Sequence, residues 1–161
     1  MDKISKELTI LEIESIVEYY KKLRADDSTK NKFSVFGIKT QWNLKKNMDI
    51  LSQAVASYEE FKNEKEKELN EKYFNDEKSD PTQVKQIVNG EETEVPGRQV
   101  KKEYMEEFKK EHMQMITELY KLSSEKVTLE LFPINLDHEI DNIVDDTGLT
   151  MDDLDFLSIF K

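Results

Sequence analysis

From Ile38 to about residue 75 the chain carries one long apolar stripe at helical spacing, and this stretch limits the possible folds more than any other. Trp42, Met48, Leu51, Val55, Tyr58 and Phe61 lie near one face, and Leu69, Tyr73 and Phe74 resume it after a polar interval. As a single helix it would span roughly 55 Å, at about 1.5 Å of rise per residue. Such a stripe needs a cover, because a long apolar face does not stay exposed to water. Residues 98–123 offer one: Tyr104, Phe108, Met115, Leu119 and Leu122 recur at helical intervals, flanked by Met105, Met113 and Ile116. The expected fold is mostly α, built on a long antiparallel helical hairpin of coiled-coil character. Its seam would bury Met48, Leu51, Val55, Tyr58, Phe108, Met115, Leu119 and Leu122, with Leu122 near Trp42 and Tyr104 at the distal end. Between Lys62 and Lys72 the stripe is mostly charged, as a solvated tip or a contact surface would be.

Composition points the same way. Charged residues and hydrophobic residues each make up 37% of the 161, against about 25% and about 45–50% in ordinary globular domains. That balance favours exposed helices with a narrow seam over a thick core. Four Gly and three Pro leave few places to interrupt an element. With no Cys, disulfides, thiolate metal sites and cysteine nucleophiles are excluded. No window approaches the roughly 18 apolar residues of a membrane helix, and the N-terminal MDKISKELTILEIES lacks the apolar core of a secretory signal. The net charge of −11 argues against ordinary phosphate-backbone binding. It fits a well-solvated structural protein, or an acidic surface offered to a nucleic-acid-binding site.

The remaining elements follow from local signals. Thr9 and Glu12 form a capping box, with Leu8 and Ile13 as its hydrophobic staple, and Ile13, Ile16, Val17, Tyr20 and Leu23 continue an N-terminal helix. Residues 25–32 read as a loop. The patch from Phe33 to Ile38 reads equally as a short strand or a helix start. Asn89-Gly90, set between β-prone runs, marks a type I′ hairpin that pairs Val84 with Val95, Lys85 with Glu94 and Gln86 with Thr93. Val127–Phe132 alternates as a strand before Pro133, and it must pair with Phe33–Phe36, with the hairpin or with another molecule. Leu136 to Phe160 holds eight acids and no Lys or Arg. It contains a short periodic piece (Leu136, Ile140, Ile143, Val144) and a final helix capped by Thr150, with Asp152 and Asp153 in its first turn. The division expected is a helical domain, 1–126, carrying the 84–95 insert, and a C-terminal docking segment, 127–161.

Chemistry-bearing motifs are sparse. His138 has no second His at metal-protease spacing, and His112 lies on a polar helix flank. A calcium loop through Gly148 would place Ile143 at the first ligand position. The four glycines, Gly37, Gly90, Gly97 and Gly148, do not cluster into a phosphate loop. The reading is a non-enzymatic protein with no catalytic, metal or cofactor residues.

The order of segments resembles a group of small bacteriophage proteins of unknown function. The likeness runs from about Phe33 to Phe160, through FGIKTQWNLKKNMDIL, YEEFKNEKEKELNEKYF, ELYKLSSEKVTLEL and LTMDDLDFL. It implies a viral origin and a place in the virion or the host cytoplasm, and it carries over no functional residue. The expected role is a virion structural or assembly protein acting through protein–protein contacts, with homo-oligomers possible in principle and neither membrane nor direct nucleic-acid binding. The alternative is a phage accessory inhibitor or adaptor that binds a host protein, by acidic nucleic-acid mimicry in one version. Partner binding is assigned to Val127, Leu129 and Leu131 on the strand and to Met151, Leu154, Phe156, Leu157 and Phe160 on the acidic helix. Whether these pack in cis or in trans is left open by the sequence.

Overall fold

The computed structural model describes residues 2–143 and 148–161. Among them the protein is mostly helical, with five α-helices and two small antiparallel sheets. Val144 and Asp145, part of the periodic piece and of the calcium loop considered above, lie outside the described residues. The chain divides into two compact units, Met1–Tyr58 with Ser123–Lys161, and Glu59–Leu122. Residues 127–161, set apart by their composition, therefore belong to the same unit as the N-terminal residues.

In the first unit, strand β1 (Ile4–Thr9) precedes helix α1 (Ile10–Ala25). Thr9 ends the strand and caps the helix: its hydroxyl accepts from the Glu12 amide, and the Glu12 carboxylate accepts from the Thr9 amide. A 3-10 turn, Lys32–Val35, follows the loop and leads into helix α2 (Ile38–Tyr73). The ambiguous Phe33 patch is thus a tight turn, which Phe33 and Phe36 close by stacking with centroids 5.9 Å apart. Strand β4 (Lys126–Leu131) pairs antiparallel with β1, Ile4 opposite Leu131 through Thr9 opposite Lys126. This corrects the partners expected for the strand. Ile4, Lys6 and Leu8 alternate as a strand requires, but the segment is short and charged, and it merges with the helix cap.

Beyond β4, helix α2 takes over the backbone. Asn47 is fully buried, donating to the Phe132 carbonyl (2.8 Å) and accepting from the Phe132 amide (2.7 Å), while Asn43, one turn earlier, donates to the Pro133 carbonyl. Helix α4 (Leu136–Asp141) then turns Glu139 toward the start of α2, where its carboxylate accepts from the Gly37 amide and the Thr40 hydroxyl. An anion suits that position, because the first amides of a helix point outward and lack partners. Helix α5 (Met151–Ser158) closes the unit under a Thr150–Asp153 capping box. The core joins Ile13, Ile16 and Val17 of α1, Leu44, Met48 and Leu51 of α2, Leu131, and Phe156, Leu157 and Phe160 at the C-terminus. The proximal stripe of α2 is therefore covered by α1 and the C-terminal residues. Leu122, assigned to the buried seam, is exposed, and so is Trp42, which periodicity placed on the stripe.

In the second unit, β2 (Ser79–Val88) and β3 (Glu91–Val100) form a ribbon with the expected register of Val84, Lys85 and Gln86. It is longer than the 84–95 insert. Asn89 and Gly90 both have positive φ, at 53° and 81°, as a type I′ turn requires. Gly97 leaves room for Val84, which a Cβ there would strike. Arg98 anchors the base, donating to the Ser79 hydroxyl and carbonyl and to the Asn75 carbonyl. Helix α3 (Lys102–Ser123) follows, and Phe108 meets Tyr73 and Phe74 edge-on.

Candidate functional site

The end of α1, the 26–35 connection and the first turns of α2 enclose a groove of about 580 Å³ within the first unit. Each wall has a local cause. The last two turns of α1 provide Tyr20, Leu23 and Arg24. The loop is held against the helix end by the Thr29 hydroxyl on the Leu23 carbonyl (2.7 Å) and the Arg24 guanidinium on the Lys30 carbonyl (3.1 Å). At its start Asp26 accepts from the Ser28 hydroxyl and amide, which hold the Asp26 carboxyl below its ordinary value. The 3-10 turn provides Phe33, which also stacks on Phe156 of α5 at 5.9 Å. The α2 wall is a helical row of Ile38, Gln41, Trp42, Lys45 and Asp49. Gln41 fixes its start by donating to the Phe36 carbonyl at 2.7 Å.

Apolar side chains beside this groove are left in water. Ile38 is 86% exposed and Trp42 54%, and Val35 nearby is also exposed. The ammonium groups of Lys45 and Lys46 each lie 5.7 Å from the Trp42 ring centroid. Lys45 also bonds Asp49 at 2.8 Å, and Lys30 bonds Asp27 at 3.0 Å, both as exposed pairs.

A second cavity of about 610 Å³ lies among Lys39, Thr40, Asn43, residues 133–139 and Lys161. Several of its polar groups are already engaged within the chain: Asn43 with the Pro133 carbonyl, Thr40 with Glu139, and Lys161 with Asp137 at 3.2 Å.

The residues assigned to partner binding have different surroundings. Leu131, Phe156, Leu157 and Phe160 are core residues of their own unit, and Val127 and Leu129 pack against that core from β4. Leu154 is half-buried, and Met151 is 71% exposed. Among the described residues no three His, Asp or Glu gather as metal ligands, and no helix is long and apolar enough to cross a membrane. Periodicity placed Trp42 on the stripe of the long helix and gave no sign of the groove. The signal that marks it is charge: residues 20–49, from the first lining residue to the last, contain eight Lys or Arg and three Asp, in a chain of net charge −11. No family model matches the chain, and no curated protein or solved structure matches it either.

Proposed function

We propose that this chain is a non-enzymatic phage protein of the virion or the host cytoplasm, acting in particle structure or assembly through protein–protein contacts. The observation that carries the reading is the exposed apolar pair Ile38 and Trp42, one helical turn apart on the α2 wall of the groove. Exposed apolar surface of this kind marks interaction sites, and Trp, Tyr and Arg are the residue types that dominate binding energy in interfaces. Exposed Met113 and Ile116, three positions apart on α3, add apolar surface in the second unit. There the end of α2 and α3 are read as an antiparallel hairpin. Its support is the ring contacts of Tyr73 and Phe74 with Phe108, the Lys72–Glu111 ion pair, and Lys78 over the rings of both Tyr73 and Tyr104.

The test is whether the chain belongs to particles. An affinity-tagged chain produced during infection should co-purify with phage structural proteins in fixed proportion, and it should sediment with particles or their assembly intermediates. Absence from every such fraction would remove the reading. A fixed-proportion complex with one host protein would replace it with the accessory inhibitor or adaptor.

A further inference from the structure

We infer that the groove between α1 and α2 is a docking site for an acidic amphipathic helix of a partner protein. The inference rests on the protein–protein reading above and names the chemistry of the partner. Two independent features define the occupant.

The first is shape and polarity. Leu23, Phe33, Leu44, Ile38 and Trp42 give the groove apolar walls, and Ile38 and Trp42 stand one turn apart at its edge. A helix laid into an apolar groove presents anchors at the same three- and four-residue intervals.

The second is charge. The chain is acidic as a whole, yet the segment that builds this groove is basic. Lys32 is withdrawn into the core by Asp153, Lys22 pairs with Glu18, and Lys39 lines the second cavity. Arg24, Lys30 and Lys45 line the groove itself, against one acid, Asp49. The Lys30–Asp27 and Lys45–Asp49 pairs are exposed, and such pairs are worth little, so an incoming carboxylate can exchange with them. The favoured partner therefore offers apolar anchors flanked by Asp or Glu. A nucleic acid is the weaker fit: Tyr20, Phe33 and Trp42 offer rings to stack on, but the aliphatic Leu23, Ile38 and Leu44 match apolar anchors that a base does not carry, and in a chain of net charge −11 a continuous run of phosphates is repelled more than a few carboxylates.

Trp42 is the single tryptophan, so its emission reports the groove directly. The probe is a designed peptide of about 15 residues, or about four helical turns, with Leu and Phe at helical intervals and Glu elsewhere. Its twin has Lys in place of every Glu. With the intact chain, the acidic peptide should give a saturable blue shift, and the basic twin should give none. Raising the salt from about 0.05 to about 0.5 M should weaken binding by about tenfold, because screening shortens the reach of the cationic rim. Ile38→Asp should abolish the response, and Arg24→Glu with Lys45→Glu should reverse the preference toward the basic twin. Far-UV circular dichroism checks that both variants stay folded, as expected for exposed positions.

Equal binding of both peptides, or no response to the acidic one, overturns the inference. So does tighter binding of a single-stranded oligonucleotide, or a Trp42 shift that depends only on the chain's own concentration, which would make the occupant a second copy. A negative titration beside positive co-purification with particles removes the groove and leaves the function standing. A positive titration with the chain absent from particles does the opposite.

Discussion

The Lys32 ammonium lies 2.8 Å from the carboxylate of Asp153, and Asp153 is completely buried. The pair ties the 3-10 turn to the first turn of α5. The second Asp153 oxygen accepts from the Tyr19 hydroxyl at 2.5 Å, so α1, the turn and α5 meet at one carboxylate. Removing one partner leaves a buried charge uncompensated, which costs about 3–5 kcal/mol. Lys32→Ala and Asp153→Ala should each lower the unfolding free energy by about that amount in denaturant titrations. The double variant should cost clearly less than their sum. Additive losses would mean that the two charges are not coupled.

The same cluster sets two pH limits. Burial acts to raise the Asp153 carboxyl, but the bonds from Lys32, Tyr19 and Thr150 outweigh it and hold the group below its ordinary value. A carboxyl depressed in the folded state contributes stability above its unfolded pKa of about 3.9 and loses it as pH falls through the folded value. Stability should therefore decline in acid below about pH 4, and less so in Asp153→Asn, which starts lower. Tyr19 behaves in the opposite sense. Burial, with the Asp153 carboxylate beside it, pushes the phenol up to about 12. The contribution of a raised phenol is intact below its unfolded pKa of about 10 and is lost as pH climbs toward the folded value. Tyr73, buried beside Glu107 and Glu111, is raised as well and adds to the alkaline loss. Melting temperatures should fall between about pH 10 and 12, and Tyr19→Phe should soften the fall. A Tyr19→Phe profile superimposable on the wild type would refute this assignment.

Asn47 stands in for a neighbouring strand, meeting both the amide and the carbonyl of Phe132 from a fully buried position. Asn47→Leu has similar bulk and cannot replace either bond. Each orphaned buried group costs about 1–3 kcal/mol, so the variant should lose about 2–6 kcal/mol and speed hydrogen exchange at the Phe132 amide. Unchanged exchange there would show that another group satisfies the strand end.

Local signals in the sequence proved readable, and long-range choices did not. Asn89-Gly90 specified the ribbon register because only a few backbone conformations close a two-residue turn, and Thr9 and Thr150 specified helix starts for similar reasons. Periodicity marked Met48 and Leu51 as buried, but it could not say that α1 and the C-terminal residues would cover them, since one apolar face fits many partners. Strand β1 was concealed by its lysine, its glutamate and the adjoining cap. The groove was hidden because its lysines and arginine are spread over α1, a loop and α2, and only the fold brings them beside Trp42.

The ribbon depends on Gly90. At φ 81° a β-branched residue is strained, so Gly90→Val should open the turn. Hydrogen exchange should then lose protection at Gln86 and Thr93, which face each other in the register. No ribbon residue belongs to the core cluster of the first unit. Exchange at Leu51 and Leu131 should accordingly be unchanged, and a loss of protection there would mean that the ribbon supports the core.

The C-terminal helix gives the sharpest contrast between a docking element and part of the fold. Phe156 touches Tyr19 and Phe33 with ring centroids 5.3 and 5.9 Å away, Leu157 and Phe160 are fully buried, and the Phe160 carbonyl accepts from the Ile134 amide at 2.8 Å. Met151 alone among the large apolar residues of this helix is mostly exposed. Truncating a buried aromatic costs about 3–5 kcal/mol, the lost transfer energy being added to that of the cavity. Phe156→Ala should therefore lose about that much, and Met151→Ala should change stability by less than about 0.5 kcal/mol. Deleting residues 149–161 removes three core side chains and the Asp153 cluster together, against a total stability of about 5–15 kcal/mol for a typical domain. The shortened chain should melt far below the full one or fail to fold, as read by circular dichroism and calorimetry. A truncated chain with unchanged melting would detach α5 from the core and return it to the role of a free docking segment.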